Sequence, residues 1–140
     1  QKFEIITLWH VLEHVENLSE FISNLNNMLS DYGRLIIAVP NFKSEDAKYY
    51  KEFWAAFDVP RHLWHFSQQS IHRLFLKEQM FVEKTIPMKF DSYYVSLLSE
   101  KYKNGKTNFV SALYRGFISN WKARASSEYS SLIYVIKKQE

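Results

Sequence analysis

Two short apolar stretches that flank one amphipathic segment limit the fold of this chain most strongly. Phe3–Trp9 and residues 34–39 have the composition of buried strands, and residues 18–30 between them carry apolar side chains at the helical period. Two strands joined by one helix form a βαβ unit, which implies a parallel sheet. We therefore expect an α/β fold in which ligands bind at the carboxyl ends of the strands.

Local signals predict where these elements begin and end. Asn17 can cap the first helix, with Glu20 three residues later as its capping-box partner. Gly33 is expected to permit the turn into the second strand, and Pro40 to end that strand because proline cannot donate to a sheet hydrogen bond. Residues 42–58 are charged and aromatic, and they predict a helix that lies over the strand ends.

The rest of the chain predicts two more strands and three more helices. Ser67 is a suitable N-cap for the first of these helices. Strands are predicted at 81–87 and 131–137, and helices at 92–103 and 108–124. We interpret residues 92–124 as a helical insertion between the last two strands.

Composition narrows the class of protein. At 140 residues the chain has the length of one domain, and its 46% hydrophobic residues suffice for a real core. The absence of cysteine excludes disulfides and thiolate metal sites, and it suits a cytoplasmic protein. No apolar run has the length of a membrane span. The net charge of +3 comes from scattered lysines and arginines, which favours solvated faces over a nucleic-acid site.

A polar group follows the first strand. His10, Glu13 and His14 have the H-x-x-E-H spacing, in which two histidines on one helix bind Zn²⁺ and the glutamate acts as a base. A zinc hydrolase is therefore one hypothesis. The strand runs directly into His10, however, and the helical pattern begins near Asn17, so the favoured interpretation has no metal. In it, Glu13 and His14 order the loop through hydrogen bonds.

A second polar group lies in the segment at 60–67. Arg61 and His62 among aromatic residues suit a pocket that binds an anion or accepts a proton, whereas His65 is expected to be structural. Most of the aromatic residues near the strand ends should be packing, but Tyr49, Tyr50 and Tyr94 lie in segments predicted to cover those ends. The aromatic residues considered are Trp9, Tyr49, Tyr50, Trp54, Trp64, Tyr93 and Tyr94. With three glycines in all, the chain contains none of the common glycine-rich phosphate loops.

Three motifs together resemble one family. FEIITLWHVLEHV at 3–15, GRLIIAVPN at 33–41 and PRHLWHFS at 60–67 are similar in order and spacing to the carboxy-terminal half of class I S-adenosylmethionine-dependent methyltransferases. Most similar are the bacterial members whose fourth strand ends in a phrase like "hVLEHv". The resemblance covers nearly the whole chain. It does not identify the acceptor.

The resemblance implies a fold and site residues. The four strands would be strands 4 to 7 of a Rossmann-like sheet, in spatial order 4, 5, 7, 6, with strand 7 antiparallel. Residues just after strand 4 would face the cofactor, and the acceptor side would be formed by later segments. On the cofactor side these residues are Leu8, Trp9, His10 and Val11. On the acceptor side they are Asn41, Tyr49, Tyr50, Arg61, His62 and Tyr94.

These observations combine into a functional expectation. We expect S-adenosylmethionine-dependent methyl transfer to a small-molecule acceptor, with His10 as the first candidate for a general base and His62 as the second. The family's glycine-rich loop and ribose-binding acid would precede Gln1, so we expect a partial domain with little cofactor affinity. The exposed edge of the first strand would then be covered by another copy, a rearranged segment or an N-terminal part. A non-catalytic binding module with the same fold is the alternative.

Overall fold

The computed structural model describes residues 1–139. These described residues form four strands, five α-helices and three single 3₁₀ turns. The strands are β1 (Phe3–Trp9), β2 (Leu29–Pro40), β3 (Met80–Pro87) and β4 (Ser131–Lys138). The helices are α1 (Leu18–Met28), α2 (Glu45–Tyr50), α3 (Gln68–Leu76), α4 (Asp91–Asn104) and α5 (Phe109–Ser126). The 3₁₀ turns are Leu12–His14, Lys51–Phe53 and Ala55–Phe57.

The four strands form one mixed sheet in the order β1-β2-β4-β3. β1 is parallel to β2, and β4 runs antiparallel to both β2 and β3. The predicted α/β class and the position of the antiparallel last strand are therefore confirmed. Because β1, β2 and β3 share one direction, their carboxyl ends lie at one edge of the sheet, where β4 begins. This edge is where a ligand site is expected in such a sheet.

Helix caps and core packing follow the sequence signals. The side chain of Asn17 accepts a hydrogen bond from the Glu20 backbone N–H, and Ser67 caps α3 through the Ser70 backbone N–H. The apolar faces of α1 and α3 pack against the sheet, which buries side chains such as Ile22 of α1. Burial of such a side chain stabilises the fold by roughly 1.5–3 kcal/mol.

The turn predicted at Gly33 is wrong. α1 ends at Met28 and β2 begins at Leu29, so Gly33 lies inside the strand. The pairing of β2 with β1 shifts register here, from Phe3 opposite Leu29 to Ile5 opposite Arg34. A β-carbon at Gly33 would lie 2.8 Å from Leu29 Cδ1. The glycine therefore serves close packing inside an irregular strand.

The single helix predicted at 42–58 is also wrong. α2 ends at Tyr50, and Lys51 adopts a positive φ of 52° that a continuous helix cannot contain. Two 3₁₀ turns follow. Trp54 between them donates its indole N–H to the buried carboxylate of Asp46, at 2.9 Å. This hydrogen bond holds the chain in a compact loop, which positions residues 55–62 near the strand ends.

β1 is an edge strand. It pairs only with β2 among residues 1–139, and the side chains of Phe3, Ile5 and Trp9 are exposed. An exposed apolar edge of this kind can accept another strand. Within the same described residues, no helix combines the length and apolar character needed to cross a membrane.

Candidate functional site

A cleft of about 320 Å³ opens at the carboxyl edge of the sheet. His10 follows β1 directly, Pro40 ends β2, Ser131 begins β4, and Asp91 begins the helix after β3. All four strands thus contribute to one site. The remaining walls come from the loop at 55–62 and from one face of α4. This is the position that a parallel α/β sheet favours for ligands.

His10 is held in an unusual backbone conformation. Its φ is +53°, in the left-handed region that few non-glycine residues adopt, while its N–H still donates to the Ala38 carbonyl at 3.0 Å. The turn directs the imidazole into the cleft between two carboxylates. Nδ1 lies 3.3 Å from Glu13 Oε1, and Nε2 lies 3.6 Å from Asp91 Oδ2. Such strain in a cleft residue is a feature found at functional sites.

The two carboxylates control the protonation of His10. The hydrogen bond with Glu13 and the charge of Asp91 raise the pKa of His10 above its usual value, although partial burial acts in the opposite direction. A raised pKa makes His10 a stronger base. It also keeps the imidazole protonated over more of the neutral pH range.

His62 also lies near Glu13. Its Nδ1 is 2.8 Å from the Ala56 carbonyl, which can only accept, so Nδ1 carries the proton. In the neutral imidazole Nε2 then carries no proton, and it lies 4.0 Å from Glu13 Oε1 and 3.9 Å from Asp58 Oδ2. The structure therefore brings His10 and His62, the two predicted base candidates, close to the same oxygen of one buried carboxylate.

Arg61 lies at the rim of the cleft. Its Nη2 donates to Asp58 Oδ1 at 2.6 Å and its Nε donates to the same oxygen at 3.1 Å. The guanidinium is largely solvent-exposed. Its charge is partly neutralised by Asp58, so Arg61 is less suited to capturing an anion than the sequence suggested.

One wall of the cleft is formed by α4. Tyr94 and Tyr102 present exposed rings, while Val95 and Leu98 provide apolar surface between them. Tyr94, predicted to bind the acceptor, therefore does line the cleft. The combination of apolar surface with a few polar groups at one end is typical of small-molecule sites.

Three residues predicted to face the acceptor lie elsewhere. Asn41 is buried, and its Nδ2 donates to Glu128 Oε2 at 2.7 Å. The Tyr50 hydroxyl is buried and donates to Glu100, and the ring of Tyr49 lies under the Arg115 guanidinium. These interactions satisfy the polar groups internally, so Asn41, Tyr49 and Tyr50 contribute to packing between segments and not to the cleft.

The cofactor-side residues lie at the outer end of β1. Trp9 and Val11 are exposed, Leu8 is half-buried, and His10 enters the cleft between them. Their aromatic and apolar surfaces are accessible to a bound molecule. The residues that the structure describes include no glycine-rich loop.

A metal ion would be held by a set of residues that differs from His10, Glu13 and His14, the three that the sequence motif suggested. Glu13, His14 and His62 each place one ligand-type atom within 4.8 Å of the others, and Glu13 Oε2 is buried without a hydrogen-bond partner. His14 Nδ1 lies 3.0 Å from the Arg61 carbonyl and therefore carries a proton. His10 does not belong to this set. Leu12–His14 is one 3₁₀ turn, so the continuous helix of the zinc-hydrolase motif is missing here.

Sequence reasoning missed Asp91 and Asp58. Asp91 is the first residue of α4 and follows the end of β3 at Pro87 after a short connection, so its position after a parallel strand was an available signal. Asp58 had no such signal, because its place depends on the left-handed turn that it adopts, with φ of 40°. His65 behaves as predicted: its Nε2 lies 2.9 Å from the Phe57 carbonyl, and the residue is exposed.

Comparisons with known proteins agree with this fold. The cyclopropane synthase of Mycobacterium tuberculosis is 10% identical, with a TM-score of 0.57 over 99% of this chain and 56% of its own length. Magnesium protoporphyrin IX methyltransferase from Synechocystis, solved with bound SAH, is 15% identical, with a TM-score of 0.54 over 99% of this chain and 46% of its own. An O-methyltransferase of a Brevibacillus brevis polyketide synthase, in complex with S-adenosyl-L-homocysteine, is 14% identical, with a TM-score of 0.54 over 99% and 44%.

These similarities show the fold. The chain spans about half the length of the structures it matches. No curated protein matches the sequence. The sequence profile of the family described as "Methyltransferase domain" matches residues 1–80, which is more than half of the chain. The chain therefore belongs to the methyltransferase-domain family.

Proposed function

We propose that this chain supplies the acceptor side of an S-adenosylmethionine-dependent methyltransferase. The observation that carries the proposal is the cleft at the carboxyl ends of the strands, in which His10 lies between Glu13 and Asp91. Family membership and the fold support it, since the family uses S-adenosylmethionine. We also propose the finer assignment to the bacterial "hVLEHv" group and a cytoplasmic location, on the sequence alone.

The proposed reaction needs little beyond alignment and a base. Bound S-adenosylmethionine would supply an electrophilic methyl group, with Leu8, Trp9 and Val11 along one side of it. Tyr94 and the apolar face of α4 would hold the acceptor and exclude water. In its neutral form His10, with Nδ1–H donated to Glu13, would use Nε2 to take a proton from an acceptor hydroxyl or amine.

His62 has a supporting role in this proposal. Its Nδ1–H is committed to the Ala56 carbonyl, and its Nε2 faces the Glu13 and Asp58 carboxylates. It can therefore accept a proton at Nε2 and stabilise Glu13. Arg61 and Tyr94 would contact the outer part of the acceptor, because both lie on the cleft wall.

The test uses the full-length protein that carries this chain. Labelled methyl groups from S-adenosylmethionine should be transferred to a component of a metabolite extract. The His10→Ala variant should bind the cofactor and transfer at a rate reduced by roughly 10²–10⁴-fold, the usual contribution of a general base. Unchanged transfer would remove His10 from the mechanism, and absence of transfer by the unaltered protein would contradict the proposal.

Two further expectations belong to this proposal. This 140-residue chain by itself should bind S-adenosylmethionine weakly or not at all, because it lacks a glycine-rich loop. The exposed edge of β1 should be covered in the functional protein by another copy, a rearranged segment or an N-terminal part. A non-catalytic binding module with the same fold would bind an acceptor-like ligand in the cleft without any methyl transfer.

A metal-dependent hydrolase is the second candidate function, because Glu13, His14 and His62 cluster with one carboxylate oxygen unpartnered. It requires a stoichiometric metal ion and a hydrolytic activity that chelation removes. Elemental analysis of the purified protein, followed by ester and amide hydrolysis assays before and after chelation, distinguishes it from methyl transfer. Hydrolysis that depends on the metal would favour this candidate.

A further inference from the structure

α5 is packed with its small residues inward and its large apolar residues outward. Its inner face consists of Ala112, Gly116, Ser119 and Ala123, all buried. At Gly116 a β-carbon would lie 2.6 Å from Tyr93 Cδ1, so the contact with α4 is close. An ordinary surface helix has the opposite arrangement, with its large apolar residues directed to the core.

The outer face of α5 is a continuous apolar stripe. Its six residues repeat at spacings of three and four and are between 56% and 79% exposed. They are Phe109, Val110, Leu113, Tyr114, Phe117 and Trp121. Phe90, at the neighbouring end of α4, is 89% exposed. Contiguous exposed apolar surface of this kind marks an interaction site.

The charged residues of α5 and of the segment just before it have one sign. Residues 101–127 contain no Asp or Glu and carry six cations: Lys101, Lys103, Lys106, Arg115, Lys122 and Arg124. Glu100, just before them, is buried and hydrogen-bonded to Tyr50 and Ser111. Among the residues described, only Lys122 of these six cations forms an ion pair, with Glu45. The surface therefore offers uncompensated positive charge to its partner.

A pocket of about 250 Å³ is lined by both cationic side chains and aromatic residues of the stripe. Lys89 and Arg124 lie in its lining together with the exposed rings of Phe90, Phe117 and Trp121. Among residues 1–139, no carboxylate lines this pocket. Two cations beside aromatic rings form a site suited to an anionic headgroup whose apolar part continues along the stripe.

We propose that the α5 stripe and the Lys89–Arg124 pocket dock on the surface of an anionic lipid bilayer. Aromatic and aliphatic side chains flanked by Lys and Arg are the composition of helices that lie in the membrane interface. The lipid phosphates would face Lys89 and Arg124, while Phe117 and Trp121 enter the boundary between headgroups and acyl chains. A second copy fits poorly, because it would bring like charges together. A nucleic acid would leave Val110 and Leu113 without a stacking partner.

Docking in this orientation has a consequence for the cleft. α4 presents Asp91, Tyr94 and Tyr102 to the acceptor cleft and carries α5 on another face. The cleft would therefore open close to the bilayer surface. The docking itself does not depend on the proposed methyl transfer and can be tested separately.

The experiment is co-sedimentation of the purified protein with vesicles. We expect binding to vesicles of equal parts phosphatidylglycerol and phosphatidylcholine, much weaker binding to pure phosphatidylcholine, and weakening by added salt. Lys89→Gln with Arg124→Gln should reduce the affinity roughly fivefold for each charge removed. The control Lys77→Gln with Lys84→Gln removes the same charge from exposed positions outside the helical pair and should have little effect.

A second pair of variants tests the apolar stripe. Phe117→Ser with Trp121→Ser should reduce vesicle binding at least about tenfold. Tyr32→Ser with Leu76→Ser, at exposed positions on other elements, should not. Because all four side chains are exposed, circular dichroism should show that each variant remains folded. No binding to anionic vesicles, equal loss in the control variants, a dimer that the stripe variants abolish, or tighter binding to single-stranded RNA than to vesicles would each overturn the proposal.

Discussion

At the scale of single residues, His10 illustrates how local backbone and charge define the cleft. Its backbone is in the left-handed conformation, and its imidazole contacts both Glu13 and Asp91. The sequence identified His10 because it follows an apolar strand. It did not show that His10 contacts Asp91, which is 81 positions later and reaches His10 only through the folded sheet.

The protonation of His10 is directly measurable. Carboxylates near an imidazole stabilise its charged form, so removal of a carboxylate must lower the pKa. In NMR titrations of this chain in metal-free buffer, Glu13→Gln should lower the His10 midpoint most and Asp91→Asn should lower it less, in line with the order of the two influences. The exposed His72 provides an internal reference in the same spectra. A midpoint that rises in either variant would contradict the assigned contacts.

At the scale of elements, a buried carboxylate joins four segments. Asp46 of α2 accepts hydrogen bonds from the Trp54 indole, from Ser119 of α5 at 2.6 Å and from Ser130 before β4 at 2.7 Å. It is 1% exposed. No sequence pattern predicted this network, because its donors lie up to 84 positions from Asp46 in the sequence and come near it only when the helices pack.

Replacement of Asp46 should therefore be costly. Asp46→Asn keeps the shape of the side chain but removes its charge. It also replaces one of the two oxygens that accept hydrogen bonds from the three donors. The substitution should therefore lower the free energy of unfolding by about 2 kcal/mol. Asp31→Asn is the matched control, because Asp31 is exposed and its contact with Lys138 is a surface pair at 3.5 Å. Chemical denaturation of both variants provides the comparison. Equal effects of the two substitutions would show that the network contributes little.

Substitution of Gly116 tests the α4–α5 packing, because helix propensity and close packing predict opposite changes in stability. Helix propensity alone predicts that Gly116→Ala stabilises α5 by about 1 kcal/mol. A β-carbon at this position would lie 2.6 Å from Tyr93 Cδ1, which predicts the reverse, since overpacking costs roughly 1–3 kcal/mol. We expect net destabilisation in thermal or chemical unfolding, with a smaller loss in a Tyr93→Ala background. A more stable Gly116→Ala protein would show that α4 and α5 are not closely packed.

At the scale of the whole molecule, the strands of the sheet could be predicted from the sequence, whereas the exposed face of α5 could not. Apolar runs and the βαβ pattern predicted the strands, and Ser67 predicted the start of α3, because these are local properties. The resemblance to a family added the strand order. The periodic residues of α5 predicted a helix, yet their spacing could not tell that Phe117 and Trp121 face outward, since periodicity does not state which face is covered.

The same limit applies to the acceptor site. Arg61, His62 and Tyr94 were found because they lie in segments adjacent to the strand ends, and the structure places all three in the cleft. Asn41 and Tyr50 also lie in segments adjacent to the strand ends, but their side chains point inward and form hydrogen bonds with Glu128 and Glu100. The direction of a side chain in a loop depends on long-range contacts that a single sequence does not specify.

We propose that the carboxyl end of β1 forms one side of an S-adenosylmethionine site. Calorimetric titration of the full-length protein with S-adenosylmethionine tests this proposal. We expect micromolar binding, weakened roughly tenfold in Trp9→Ala through loss of apolar contact and unchanged in the Tyr32→Ala control. Absence of binding by the full-length protein, or equal affinity of the Trp9→Ala variant, would contradict it.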